Sequence, residues 1–495
     1  MGLGWRTSWA CAALAIALVA ALAAASEARA ARTFGTELTR LVREGAIDRD
    51  TSDLSRETYR SARATVGRLS GARRLELGGA VRAVDGMAAR GAITPSRLPA
   101  LTLTLERNRE WWTTRELLRS GDRVSFPGSE LVWQMVGGQG LQIHPLANFG
   151  KLNALWSTGR DQRAGVLLDE LLPLAAQRAG GLAWEYYFAF GGGQPPWVSG
   201  LAEGTALQAI ARVATKLGRQ ADVFPVAAQA LGVFATPAPE GVAVATPEGT
   251  HYALYSFAPS LRVINGFVQS LVGLFDYAQL TGDATAQALY QAGEQAARVE
   301  VPLYDTGAWS LYSRGTSFHE SDLSYHILLR DFMNGLCGRT AEPVYCVAAA
   351  HFSSALTTPP ALHIRTTQAR ARTTAAIAFD LSKISQVGMA VSRDGRTVYS
   401  RAATTFAYGT HSFSWPVPRE PGTYVVRIGA KDLAGNVAVV DGAVQVVPTR
   451  KPAARVAAAS GRAAPQRRPA EPRGFSVLDR PWRLPHRAGR RAARG

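Results

Sequence analysis

The sequence predicts a multidomain α+β chain, mainly helical: an α/α toroid (partial barrel) with a small β segment before it and a C-terminal β-sandwich. Three observations carry this. Residues 145–356 hold amphipathic helical runs separated by loops rich in aromatic and polar residues. Residues 123–144 switch to a β-like pattern with turns at Gly137, Gly138 and Gly140. After Pro359 and Pro360 the chain turns to short alternating strands.

Residues 1–30 read as a secretory signal peptide. Arg6 supplies the positive n-region, an Ala- and Leu-rich apolar run spans Trp9 to Ala25, and Ala28-Arg29-Ala30 offers small residues for cleavage. The competing reading is a membrane anchor, but the run is short, Ala-rich and ended by small residues. Cys11 lies inside that run rather than at its end, against a lipoprotein anchor. The expected address is secreted, extracellular or at the cell surface.

Cleavage leaves Cys337 and Cys346, a close pair that is a candidate disulfide in an oxidising compartment. The alternative is two small unpaired hydrophobes. No His sits nearby at ligand spacing, and His319-Glu320 with His326 misses the His-Glu-x-x-His helix register, so no metal is expected. The net charge of +17 invites a nucleic-acid reading. However, residues 448–495 hold thirteen Lys and Arg against Glu471 and Asp479, so that tail carries +11 of it. The first thirty residues carry +1, leaving an ordinary +5 between. The Pro-, Ala- and Arg-rich tail reads as a basic disordered segment, either an arm for an anionic wall polymer or a solvated appendage. No nucleic-acid partner is expected.

The expected divisions follow. Residues 31–122 form an N-terminal helical region, with apolar spacing such as Leu38, Leu41, Val42 and Ala62, Val66, Leu69. Residues 123–150 are the β segment. Residues 151–358 are the helical domain, with runs at Leu152–Leu168, Gly204–Leu217, Gly266–Leu280 and Ala284–Val299. No period near 34 residues supports a tetratricopeptide scaffold. Residues 361–447 are the sandwich, with strands at Ala375–Asp380, Val387–Ser392, Thr397–Ser400 and Tyr424–Ile428, then a turn at 432–436 and a last strand. Tyr424, Val426 and Ile428 face one way. This pattern resembles immunoglobulin-like or fibronectin type III-like modules, which implies a spacer or adhesive role.

The stretch from His251 to His326 contains seven of the fourteen Tyr, several beside turn residues rather than at helical core spacing. Loop tyrosines among Gly, Asn, Asp and Arg suit a sugar-binding cleft, or equally tyrosines packed at loop–helix junctions. Within it, Tyr252-Ala253-Leu254-Tyr255, Pro259, Val263-Ile264-Asn265-Gly266-Phe267 and Ser270-Leu271-Val272-Gly273-Leu274-Phe275-Asp276 follow in order. Pro302-Leu303-Tyr304-Asp305-Thr306-Gly307, Tyr312 and Tyr325-His326 come next, and Trp197-Val198-Ser199-Gly200-Leu201-Ala202-Glu203-Gly204 lies upstream. This ordered run, over roughly 184–330, resembles the C-terminal domain of the D-glucuronyl C5-epimerases.

The resemblance implies an enzyme that inverts C5 of D-glucuronic acid units in a uronate-containing polysaccharide, without a cofactor. One group removes the C5 proton from one face and another returns a proton to the other. By motif position the family's tyrosines fall on Tyr255, Tyr312 and Tyr325, with Tyr312 and Tyr325 as base and acid and Tyr255 assisting. Phenols serve if cations lower their pKa, for which Arg314 and then Arg262 are the candidates; Arg314 also suits the carboxylate. Asn265 either touches sugar or caps the helix beginning at Gly266. His326 either orders a loop or binds substrate. Trp197 and Trp184 either stack on sugar or pack in the core. Glu203 completes the substrate-binding candidates. The family also implies a homodimer. Three other readings stand beside this one: a glycoside hydrolase using Glu203 and Asp322, a uronate lyase, and a non-catalytic polysaccharide-binding protein.

Overall fold

The computed structural model describes residues 32–449. The expected signal peptide and all but two residues of the expected basic tail lie outside them. The chain divides into two compact units, the first of residues up to 198 with 212–230, the second of 199–211 with the chain from 231 onward.

In the first unit, helices α1 (Phe34–Arg43), α2 (Arg49–Arg68), α3 (Gly71–Ala89) and α4 (Leu98–Thr114) precede an antiparallel sheet of β1 (Arg123–Val124), β2 (Trp133–Val136) and β3 (Gly140–Ile143). Asn108 of α4 ties helix to sheet: its amide donates to the Leu141 carbonyl at 2.6 Å and accepts from the Leu141 N–H at 2.7 Å. The expected run Leu152–Leu168 is two helices, α5 (Pro145–Ser157) and α6 (Asp161–Leu171). A turn at 158–160 separates them, closed by the Arg160 N–H on the Leu155 carbonyl at 2.9 Å. A hairpin of β4 (Ala176–Arg178) and β5 (Gly181–Ala183) follows.

Helix α7 (Gly200–Leu217) crosses the sequence boundary between the units. After it come α8 (Gln220–Gln229) in the first unit and the short α9 (Gly232–Ala235) in the second.

In the second unit, β6 (Ala243–Ala245) pairs with β7 (Thr250–Tyr252). The chain continues through β8 (Leu261–Val263), α10 (Ile264–Thr281), α11 (Ala284–Glu300), β9 (Leu311–Gly315), β10 (His319–Glu320), α12 (Leu323–Thr340) and α13 (Pro343–Ala355). The N-terminal part of α7 packs on α10 at backbone contact. A Cβ at Gly273 would stand 2.0 Å from the Gly204 carbonyl oxygen, so only glycine fits that crossing. Cys337 and Cys346 form a disulfide from α12 to α13, with Cα atoms 4.9 Å apart.

The β module closes the described chain. Strands β11 (Leu362–Ile364), β13 (Thr374–Leu381) and β16 (Gly409–Pro416) form one sheet in the order β11-β13-β16. Strands β12 (Gln368–Arg370), β14 (Ser385–Arg393), β15 (Arg396–Phe406), β17 (Gly422–Asp432) and β18 (Val437–Val447) form a second, ordered β12-β18-β17-β14-β15. Both sheets feed one apolar core that includes Phe379, Val391, Trp415 and Ile428, and the region curls as a half-barrel. The alternation expected at Tyr424, Val426 and Ile428 is present, all three being at most 1% exposed. The molecule is thus mixed helix and sheet. Among the described residues no helix is long and apolar enough to cross a membrane.

Candidate functional site

Strands β8, β9 and β10 make a small antiparallel sheet that presents Tyr312. Leu311 and Ser313 are buried, so alternation puts Tyr312 and Arg314 together on the other face. The sheet is closed at Gly315, with φ +95°, where a Cβ would stand 2.0 Å from the Ser260 carbonyl oxygen. Register pairs Arg262 with Arg314 and Val263 with Ser313.

Tyr325 occupies the first turn of α12. Asp322 caps that helix, its carboxylate accepting the Tyr325 N–H at 2.8 Å. Tyr255 sits on the loop entering β8 and is 5% exposed. Its carbonyl accepts the Ala258 N–H at 3.0 Å, and its ring stacks on Phe257 at 5.5 Å.

These elements bring the three tyrosines together. The rings of Tyr312 and Tyr325 lie 4.7 Å apart, and the hydroxyls of Tyr255 and Tyr325 both act electrostatically on that of Tyr312. Burial pushes the Tyr312 hydroxyl well above the ordinary phenol value. Tyr255 raises it further, and Tyr325 lowers it. Tyr325 is raised too, first by burial, then by Tyr312 and the Asp322 carboxylate. Both phenols are neutral at pH 7. The expectation of cation-lowered phenols is therefore corrected, since desolvation is the leading influence on both.

The arginines explain why. Arg314 donates to the Leu303 carbonyl and lies over the rings of Tyr304 and Phe318, at 5.8 and 5.5 Å. Its lowering influence falls on Tyr304, whose hydroxyl burial nevertheless raises. The remaining Arg314 donors have no partner among the described residues. Arg262 is committed to Glu300 at 2.9 Å, and the other Glu300 oxygen holds buried His251 at 2.9 Å. Charge neutralisation at Glu300 accounts for Arg262, which corrects its expected phenol-tuning role.

Asn265 does not cap a helix. Helix α10 starts at Ile264, its N-cap is Val263, and no side chain caps it. Asn265 is 2% exposed, and neither polar atom of its side chain has a partner. A buried unpaired amide costs about 1–3 kcal/mol, the cost a ligand hydrogen bond offsets. Gly266 packs against Leu254, which places the first turn of α10 beside the segment carrying Tyr255.

His326 is a core residue. It is fully buried, stacked on Trp309 at 3.7 Å, with Nδ1 at 2.8 Å from the Ser310 hydroxyl and Nε2 at 2.9 Å from the Phe352 carbonyl. Burial lowers its pKa to about 4, so both nitrogens serve the packing of a neutral ring, which corrects its substrate-binding reading. Trp197 is corrected likewise. It belongs to the first unit, is 1% exposed, stacks on Tyr186 at 4.1 Å and donates to the Phe188 carbonyl at 2.8 Å. Trp184 is also buried and donates to the Leu171 carbonyl at 2.8 Å. Glu203 is fully buried in the first turn of α7.

Sequence reasoning missed Asp322 as the residue that fixes Tyr325. The signal was present: an Asp three residues before Tyr325, at the head of an apolar run. It also missed His251 and Glu300, whose hydrogen bond spans forty-nine residues of sequence. Among the described residues no group of three or more His, Cys, Asp or Glu is placed to hold a metal ion.

Residues 179–354 match the family described as D-glucuronyl C5-epimerase C-terminus. A D-glucuronyl C5-epimerase of Caenorhabditis elegans is 32% identical over 150 residues, covering 27% of this chain and 24% of that protein. An uncharacterized protein of Methanocaldococcus jannaschii is 32% identical over 83 residues, covering 17% of this chain and 26% of its own. The chain thus spans about a quarter of the length of these relatives. Among solved structures, an engineered protein aligns with 50% of this chain and 45% of its own at 13% identity, with a TM-score of 0.15, which bears no weight on the fold. The matched stretch, residues 179–354, contains the whole tyrosine cluster, and it is this stretch that is similar to the C-terminal domain of the D-glucuronyl C5-epimerases.

Proposed function

We propose that this chain is an exported uronate C5-epimerase that acts on D-glucuronic acid units of a finished polysaccharide by proton transfer through tyrosines. The observation that carries the reading is the buried cluster of Tyr255, Tyr312 and Tyr325 within the family stretch.

The chemistry follows from the phenols. In the fraction of molecules in which Tyr312 is a phenolate, Tyr312 acts as base and takes the C5 proton. The C5–H electrons move into the carboxylate as an enediolate. Neutral Tyr325 then delivers its hydroxyl proton to the opposite face of C5, and the electrons return to form the new C5–H bond. Afterwards Tyr312 holds a proton and Tyr325 lacks one, and exchange along the hydroxyl cluster restores both. The sugar ring separates the Tyr312 and Tyr325 rings on entry. Arg314, with donors to spare on the same sheet face as Tyr312, clamps the uronate carboxylate. Asn265 gains from substrate the hydrogen bonds it lacks in the protein.

An α/α-toroid arrangement of α7 and α10–α13, an immunoglobulin-like identity for the β module, secretion or surface display, homodimer assembly and wall contact through the tail belong to the same proposal.

The deciding experiment incubates the enzyme with a panel of uronate polysaccharides in deuterated water. Deuterium at C5, with unchanged chain length and no ultraviolet-absorbing ends, is the expected result. Unsaturated ends would identify a lyase and shortened chains a hydrolase. No label across the panel would overturn the reading.

A further inference from the structure

The β module bonds to the end of α13 and to β10, elements that neighbour those carrying Tyr325 and Tyr312. Lys383, on the turn between β13 and β14, is 1% exposed. Its ammonium pairs with buried Asp432 at 2.6 Å and donates to the Ala355 carbonyl at 2.8 Å and to the Thr358 carbonyl at 2.5 Å. Asn436 donates to the Leu356 carbonyl at 3.0 Å and to Asp432 at 2.9 Å. The orphan carbonyls at the C-terminus of α13 are thus satisfied by the β module, with a cation at the negative end of that helix. Burial opposes ionisation of Asp432, yet the bonds from Lys383 and Asn436 hold its carboxyl below the usual carboxylate range.

Two routes run from these contacts to the tyrosines. Lys383 lies 5.3 Å from the Trp309 ring, which stacks on His326, the residue after Tyr325. His326 is also hydrogen-bonded to Ser310, just before β9, and to the Phe352 carbonyl of α13, so its helix turn is fixed from two sides. On the second route, Glu320 of β10 accepts the Ile384 N–H at 2.8 Å and the Tyr408 N–H at 2.7 Å, both from the β module. Glu320 pairs in register with Leu311, the residue before Tyr312.

We infer that the β module is part of the framework of the tyrosine cluster, and that Lys383 and Glu320 are positioning residues for Tyr325 and Tyr312. This replaces the spacer role that the sequence pattern implies. The ammonium is buried without surplus donors facing solvent, so its role is to fix the end of α13 and the Trp309–His326 stack, not to meet substrate. The inference rests on the tyrosine reading for its catalytic meaning, but its geometry does not.

The test uses the full chain. Lys383→Met alone strands the Asp432 carboxylate and risks unfolding, so Lys383→Met/Asp432→Asn is the working variant. Lys383→Arg is the conservative control. Two readouts are taken. The first is ultraviolet titration of the cluster phenols, corrected by a Tyr312→Phe/Tyr325→Phe background, which needs no substrate. The second is the C5 exchange rate with its kcat and KM separated. Positioning predicts a displaced phenol titration and a kcat at least tenfold lower with KM within twofold, at temperatures where the variant remains folded, and recovery of both in Lys383→Arg. A titration and a kcat matching the parent protein in a folded variant would overturn the inference. A displaced titration with no turnover by the parent protein on any uronate polymer would sink the epimerase reading alone.

Discussion

The rings of Tyr312 and Tyr325 lie 4.7 Å apart at 52°, one on a strand and the other in the first turn of a helix capped by Asp322. Two different backbone devices hold this pair. Strand register fixes Tyr312, and a side-chain cap fixes Tyr325.

Removing either hydroxyl should stop catalysis without unfolding the protein. Tyr312→Phe and Tyr325→Phe are each expected to lower C5 exchange by about 10²–10⁴-fold, the usual range for a general acid or base. Both keep the ring, so thermal unfolding should move little. Retention of more than a tenth of the rate in either variant would remove that tyrosine from the proton-transfer pair.

The activity should climb with pH. Burial raises the phenols of Tyr312 and Tyr325, so the phenolate fraction grows about tenfold per unit below the phenol pKa. The logarithm of kcat/KM is then expected to rise by about one per unit between roughly pH 6 and 9. Asp322→Asn tests the cause. Asn caps nearly as well as Asp, so stability should hold, while loss of the anion moves the rising limb to lower pH. A limb that stays in place would assign the shift to burial alone.

Acid should weaken the fold through His326. Its folded pKa of about 4 lies below the ordinary 6.5, so the unfolded chain takes up the proton first. Stability contributed by the neutral ring is full above pH 6.5 and falls as pH drops toward 4, by up to about 3 kcal/mol. Denaturant midpoints across that range measure it. His326→Gln should be less stable at pH 7 and show a flatter acid limb.

The disulfide should matter to stability more than to chemistry. It links positions nine apart, a loop for which chain entropy gives about 2.5 kcal/mol. Cys337→Ala/Cys346→Ala should lower the unfolding midpoint by several degrees and leave KM near that of the parent protein.

Much of the architecture was legible along the chain. Gly266–Leu280 and Ala284–Val299 carry their own apolar spacing, and the structure shows helices at 264–281 and 284–300. The run from Leu152 to Leu168 read as one helix because its spacing continues through the turn that splits it. Strand β16 escaped notice. It alternates buried Phe413 and Trp415 with small polar residues too brief in sequence to stand out.

The sequence by itself determined which three tyrosines to examine, because ordered motifs are a property of the chain and need no coordinates. It also determined that the +17 resides mainly in the tail. Tertiary structure alone decided what surrounds those tyrosines. Arg314 lies over Tyr304, Arg262 pairs with Glu300, His326 and Trp197 are core, and Lys383 reaches the end of α13 from a module more than fifty residues downstream of Tyr325. Burial, desolvation and long-range pairing depend on which surfaces meet, and residue spacing carries no measure of that.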